Sequence, residues 1–163
     1  AHMYMREVAE RNKWTKATCI HTPMLSGLKG ASGRMDSYDH KMSKSDPNNA
    51  ILLHDTPKKL EKKLRKAFLE IGNDNSAVYE IIRYIIIPRI GRLNIEPKPE
   101  FGQPSSWEST DSLISAINEG NVHPFDAKMA VAKGLADVLK PISEHFSDNN
   151  DLLDNMNKIT GSQ

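Results

Sequence analysis

The apolar positions of this chain fall into two regimes. From residue 56 onward they recur at helical spacing, and before it they are sparse and interrupted. Residues 4–12 (YMREVAERN) read as a short polar helix with no evident partner face. Residues 16–21 have a strand-like composition, and Pro23 interrupts the chain just beyond them. Residues 25–50 are rich in Gly, Ser, Asp and Asn, with Gly27, Gly30, Gly33 and the run Asp46-Pro47-Asn48-Asn49. A structureless stretch of that length is usually functional or disordered.

Beyond it the helical period takes over. Thr56 is a natural N-cap with Pro57 at the first helical position. Leu60, Leu64, Ala67 and Phe68 then form one stripe at i, i+4, i+7 and i+8. Ser76 caps a second helix whose apolar face is Val78, Ile81, Ile82, Ile85 and Ile86, although its β-branched content leaves a strand open as an alternative. Pro88 is expected to end it. Residues 88–107 hold Pro88, Pro97, Pro99 and Pro104 with Gly91 and Gly102, and read as connector. Ser109 or Thr110 caps a third helix that buries Leu113, Ile114 and Ile117 and stops at Gly120. A fourth runs from about Phe125 to Phe146, with Leu135, Val138, Leu139, Ile142 and Phe146 as its stripe, and Pro141 should kink or split it. In the acidic tail from Asp148, the residues Leu152, Leu153 and Met156 suit a short last helix docking on the rest. The expected fold is mainly α: a strand and a mobile loop followed by a bundle of four or five helices.

Composition narrows the classes. The 163 residues make one ordinary domain or two very small ones, and 38% apolar with 26% charged residues is a globular balance. With 22 Lys and Arg against 21 Asp and Glu, the chain is no whole-surface polyanion binder, so an anionic partner must meet a local patch. That patch is the helix starting at Pro57, where Lys58, Lys59, Lys62, Lys63, Arg65 and Lys66 face only Glu61 in sign. The single cysteine, Cys19, excludes an internal disulfide and fits an intracellular chain, and its setting reads as a small buried hydrophobe. Trp14 and Trp107 read as packing residues. No run approaches the ~18 apolar residues of a membrane span, and no signal-peptide pattern occurs. Ala1-His2-Met3 reads as a tag scar, with natural sequence expected from about Tyr4.

One stretch carries chemistry. In Lys41-Met42-Ser43-Lys44-Ser45 two lysines sit three residues apart among hydroxyls, after a glycine-rich approach. Ammonium groups act as point charges on phosphate oxygens, and serine and backbone N–H groups add neutral donors. Such a loop can close over a polyphosphate and stabilise charge developing on a leaving pyrophosphate. On spacing alone, a solvated Lys-Ser loop explains the same residues. His21 and His40 lack the companions of a metal cluster, so no metal site is assigned.

The pentapeptide resembles the second signature of class I aminoacyl-tRNA synthetases. CIHTPMLSGL at 19–28, HKMSKSDPNNAI at 40–51, KKLRKAF at 62–68, PEFG at 99–102, VHPFDAK at 122–128 and LKPISEHF at 139–146 together resemble the tyrosyl-tRNA synthetases of archaeal and eukaryotic type, in order and over nearly the whole chain. The resemblance implies residues 4–55 as the last strand and KMSKS loop of a Rossmann-type catalytic domain. It implies residues 56–147 as a helical anticodon-binding domain, with an acidic tail at 148–163. Lys41 and Lys44 would then act at ATP phosphates, with Met42 anchoring the loop and Ser43 and Ser45 assisting. Phe101 would stack on the first anticodon base, generally guanine. Asp126 would accept from that base's Watson–Crick edge, with His123 and Pro124 shaping the pocket. Lys59, Lys62, Lys63 and Lys66 would track the tRNA backbone.

The implied partners are tRNA(Tyr), tyrosine and ATP with Mg²⁺, in a cytoplasmic setting with no membrane and no protein-bound metal. Departures from the family pattern are Gln103, the bulky Phe125, the insert at 33–39 and the lysine at position 44. No HIGH-like motif occurs. The chain is therefore expected to be a C-terminal part of its parent, monomeric and unable to form tyrosyl-adenylate alone, the parent being a homodimer. A tryptophanyl-tRNA synthetase piece, a non-catalytic RNA-binding module of synthetase origin and a helical protein-interaction module stand as alternatives; the HPFD segment favours tyrosine.

Overall fold

The structure, a computed structural model, describes residues 2–30, 41–43, 45–74, 76–100 and 102–160. Lys44, His40, the insert at 33–39 and Phe101 therefore lie outside the described residues. The elements are α1 (His2–Arg11), α2 (Pro57–Lys66), α3 (Ala77–Ile81), a π-helical turn (Ile82–Ile86), α4 (Ile87–Ile90), β1 (Leu93–Ile95), β2 (Ser105–Trp107), α5 (Thr110–Asn118), α6 (Pro124–Asp148) and α7 (Asn150–Thr160). The protein is mainly helical, as its periodicity predicts.

Local signals place most of the helix starts. The Thr56 hydroxyl accepts from the Lys59 amide with Pro57 in the first turn. Ser76 caps α3 through the Tyr79 amide, and Ser109 caps α5 through the Ser112 amide. Thr110, the other candidate cap, is buried instead. Gly120 ends the α5 segment in a left-handed conformation (φ 79°) that a β-carbon would strain.

The core is shared by α2, α3, the π turn, β1, α5 and α6. Leu60, Leu64, Val78, Ile82, Ile86, Leu113, Ile117 and Val131 are fully buried at 0% exposure. Each such side chain contributes about 1.5–3 kcal/mol relative to exposure. Leu28 joins this core from the glycine-rich stretch, so one leg of that loop is part of the bundle. On α6 the buried face also takes in Ala127, Ala130 and Ala132, small residues that let α2 approach closely and that a large-residue stripe overlooks.

Several expectations are corrected. Pro88 does not end its helix, because the preceding turn is one residue wider: Ile87 donates to Ile82, an i to i−5 bond. That widening takes up the ring's clash and the missing N–H, and the helix runs on to Gly91 (φ 88°). The supposed connector contains a hairpin in which β1 and β2 pair antiparallel, Leu93 opposite Trp107 and Ile95 opposite Ser105. Its prolines lie in the loop between the strands and just before β2, where no ladder bond is required. Pro141 lies inside one continuous α6. It and Asp137, whose carbonyl it leaves without an amide, are both exposed, so water can satisfy that carbonyl.

Residues 14–25 form no regular element, because no ladder partner reaches them among the described residues. Accordingly Ile20 is 89% exposed, Cys19 is only half-buried and Trp14 is 65% exposed rather than packed. The tail is helical, but Leu152 and Met156 stay 45% exposed, so α7 does not dock its whole apolar face.

Candidate functional site

The signature loop stands on two legs, residues 25–30 and 41–52, and both are tied down. Ser26 and Lys41 face one another as an isolated antiparallel pair, and the Met42 amide donates to the Leu25 carbonyl at 3.0 Å. Met42 is half-buried against the core, an anchor at the root of the loop, while Lys41 is exposed. The Ser43 and Ser45 hydroxyls lie 2.8 Å apart, and the Asp46 amide closes a turn onto the Ser43 carbonyl. Asn49 clasps the other leg: its side-chain oxygen accepts from the Lys29 amide and its carbonyl from the Leu28 amide. Lys29 pairs with Asp46 at 2.7 Å across the legs, and that hydrogen bond holds the Asp46 carboxyl below its ordinary value.

Beside these legs runs the basic face of α2. A cleft of about 640 Å³ lies between residues 46–52 and the helix, lined by Lys29, Lys59, Lys62, Lys63 and Lys66. Lys59, Lys62 and Lys66 stand at i, i+3 and i+7, so they share one exposed face. None of the three pairs with a carboxylate among the described residues. Lys63 differs from these three in its surroundings. Its side chain is 13% exposed and its ammonium bonds the Asp55 carboxylate, itself 2% exposed, and the Ala50 carbonyl. Asp55 also accepts from the Leu52 amide. Lys63 fastens the loop's outgoing leg onto α2, with two of its three ammonium donors engaged there.

At the other end of the bundle, α6 begins beneath the hairpin. His123 is its N-cap: Nδ1 accepts from the Phe125 amide at 3.1 Å, which places the ring hydrogen on Nε2. Pro124 occupies the first turn, and Asp126 shares that turn, where the helix dipole favours a carboxylate. Asp126, His123, Asn121 and Val122 line two adjoining cavities. One, of about 40 Å³, is bounded by Ile95, Pro97, Gly102, Gln103 and Ser105 of the hairpin and its loop. The other, of about 750 Å³, is walled by Ile71, Lys98, Phe125 and Met129. Phe125 is 40% exposed with the Arg65 guanidinium 5.8 Å over its ring. The structure thus gathers His123, Pro124 and Asp126 at one concavity and Lys59, Lys62 and Lys66 at a second.

Lys128 joins these two regions. Its ammonium donates to the Arg65 and Ala67 carbonyls and so caps the last turn of α2 from the first turns of α6. Burial pushes its pKa down from the ordinary lysine value. Sequence reasoning missed Lys29 and Lys128, because each acts through a partner distant in sequence, and Asp55, because its burial beside Lys63 depends on how the loop packs on α2. Only the His-Pro-x-Asp-x-Lys spacing hinted at Lys128. Among the described residues, no group of three His, Cys, Asp or Glu side chains is placed to hold a metal ion, and no helix is long and apolar enough to cross a membrane.

The family profile for class I tRNA synthetases (W and Y) matches residues 2–140, from α1 well into α6. A tyrosine-tRNA ligase of Sulfolobus acidocaldarius is 37% identical over 99% of this chain and 48% of its own length. That of Picrophilus torridus is 39% identical over 90% of this chain and 44% of its own. The crystal structure of tyrosyl-tRNA synthetase from Aeropyrum pernix superposes with a TM-score of 0.80 at 31% identity, covering 99% of this chain and 45% of that one. The chain spans about half the length of the curated relatives it matches. With a shared fold and a match running through both concavities, it belongs to the class I tRNA synthetases of the tryptophan and tyrosine family, on the archaeal tyrosyl side.

Proposed function

We propose that this chain is the C-terminal part of a tyrosine-tRNA ligase, which activates tyrosine with ATP and transfers it to tRNA(Tyr). Residues 4–55 supply the end of the catalytic domain and its phosphate lid, residues 56–147 read the anticodon, and 148–163 form an acidic tail. Lys41 and Lys44 meet the ATP phosphates, with Ser43 and Ser45 as neutral donors and Met42 as the anchor. Magnesium enters with the nucleotide, on no ligand set of this chain. The parent is a cytoplasmic homodimer, and this part alone is monomeric and inactive in adenylate formation.

The reading rests above all on one observation: the likeness to tyrosine-tRNA ligases runs along 99% of the chain. The site chemistry supports it. A carboxylate can accept from N1–H and N2–H₂ of guanine together, and Asp126 opens onto a concavity bounded by the hairpin. Lys59, Lys62 and Lys66 present ammonium groups on one face with no acidic partner among the described residues, as a phosphodiester backbone requires.

The test is fluorescence anisotropy with the tyrosine tRNA anticodon stem-loop at fixed salt, against a loop carrying cytosine for guanine at the first anticodon position. The guanine loop should bind better by about 1–3 kcal/mol, and Asp126→Ala should erase the gap. Equal binding of both loops by the unaltered protein refutes anticodon reading by this chain.

A further inference from the structure

One tie at the root of the loop is made by a carboxylate that belongs to the helical bundle. Ser26, the residue paired with Lys41, donates its backbone N–H to Glu80 Oε2 at 2.6 Å and its hydroxyl to Oε1 at 2.8 Å. Glu80 stands on α3, whose neighbouring residues Ala77, Val78, Tyr79 and Ile81 are all 2% exposed or less. The carboxylate is therefore held by a rigid element, and both of its oxygens are used on one serine. Charge-assisted bonds of this kind are about twice as strong as neutral ones and fix direction as well as distance. The rest of the leg has independent anchors: Leu28 lies in the core, its carbonyl accepts from the Phe68 amide at 2.7 Å, and its amide donates to Asn49. Those anchors hold the leg in place but do not orient the backbone at Ser26 and Lys41.

We infer that Glu80 is a positioning residue for Lys41: from the bundle it fixes, through Ser26, the backbone from which the Lys41 ammonium reaches a polyphosphate. The inference rests on the proposed reading of Lys41 as an ATP-phosphate contact. It makes the register of the lid's root depend on α3, so displacement of α3 and displacement of Lys41 are one event.

The test uses the full-length ligase with Glu80→Ala, Glu80→Gln and Glu80→Asp, and two readouts. The first is amide hydrogen exchange at Met42, whose N–H bonds Leu25, with the amides of α3 as control. The second is tyrosine-dependent ATP–pyrophosphate exchange, with separate KM values for ATP and tyrosine. Glu80→Ala should speed Met42 exchange and raise the KM for ATP, each about tenfold, leaving α3 protection and the KM for tyrosine unchanged. Gln keeps an acceptor for the Ser26 amide and offers a donor to its hydroxyl, so it should restore both readouts. Asp is one methylene too short and should not. Unchanged Met42 exchange in Glu80→Ala, a KM for ATP that does not move, or failure of Gln to rescue each overturns the inference. Absence of tyrosine-dependent exchange in the unaltered protein overturns the lid reading instead, and the Met42 arm then decides by itself whether Glu80 orders this leg.

Discussion

Replacing Lys62 and Lys63 by methionine, one at a time, separates the structural role of Lys63 from the phosphate-binding role proposed for its neighbour on α2. Methionine keeps the apolar stem and removes the charge. Lys63→Met leaves the Asp55 carboxylate, 2% exposed, with the Leu52 amide as its remaining donor, and the Ala50 carbonyl loses its partner. Breaking a buried ion pair by removing one member costs about 3–5 kcal/mol. That is a large share of the roughly 5–15 kcal/mol that holds a domain together. For a chain of this size, Tm should fall by about 2–4 °C per kcal/mol. Lys62 is exposed with no acidic partner among the described residues, and Lys62→Met should change stability by less than about 0.5 kcal/mol.

Binding should show the reverse. The slope of log K against log salt, measured with tyrosine tRNA, should flatten by somewhat under one unit for Lys62→Met. For folded Lys63→Met it should not change. Urea unfolding monitored by fluorescence, with half-buried Trp107 as a reporter, gives the first quantity, and anisotropy across a salt series gives the second. A Lys63→Met cost below about 1 kcal/mol, or a salt slope that falls equally for both variants, refutes the division of labour.

Other outcomes depend on single features. The Tyr79 hydroxyl is buried with no hydrogen-bond partner among the described residues, and burial raises its pKa; Tyr79→Phe should therefore stabilise the protein by about 1 kcal/mol in urea unfolding. Gly30 has φ 75° and an added β-carbon there would lie 2.5 Å from the Phe68 ring, so Gly30→Ala should cost more than about 1–2 kcal/mol, the strain of the left-handed backbone alone. Because the folded pKa of Lys128 is lowered, the unfolded chain binds more protons in the alkaline range, and stability rises with pH through that range toward the ordinary lysine value of 10.5. Unfolding of wild type and Lys128→Met from about pH 8 upward should show the wild type gaining on the variant; parallel curves would refute a buried ammonium.

The sequence by itself determined most of the helix starts and the stop at Gly120, because capping and periodicity are local physics. Thr56 with Pro57, Ser76, Ser109 and Gly120 act on amides and dihedrals within a few residues, so spacing alone places them. His123, Pro124 and Asp126 were singled out by the resemblance rather than by spacing, and they fall at the cap and first turn of α6.

Tertiary structure decided what depended on a distant partner. The stretch at 16–21 has strand residues but no ladder to join. Strands β1 and β2, of three residues each, are too short to show a period and exist because they pair and because β1 covers α6. Pro88 stays helical because the turn before it widens, a response of the backbone that no pattern of side chains announces. Lys62 and Lys63 look alike in the sequence, and only the packing of Asp55 against α2 makes one an exposed cation and the other a buried strut, because burial and pairing are properties of neighbours brought together by the fold.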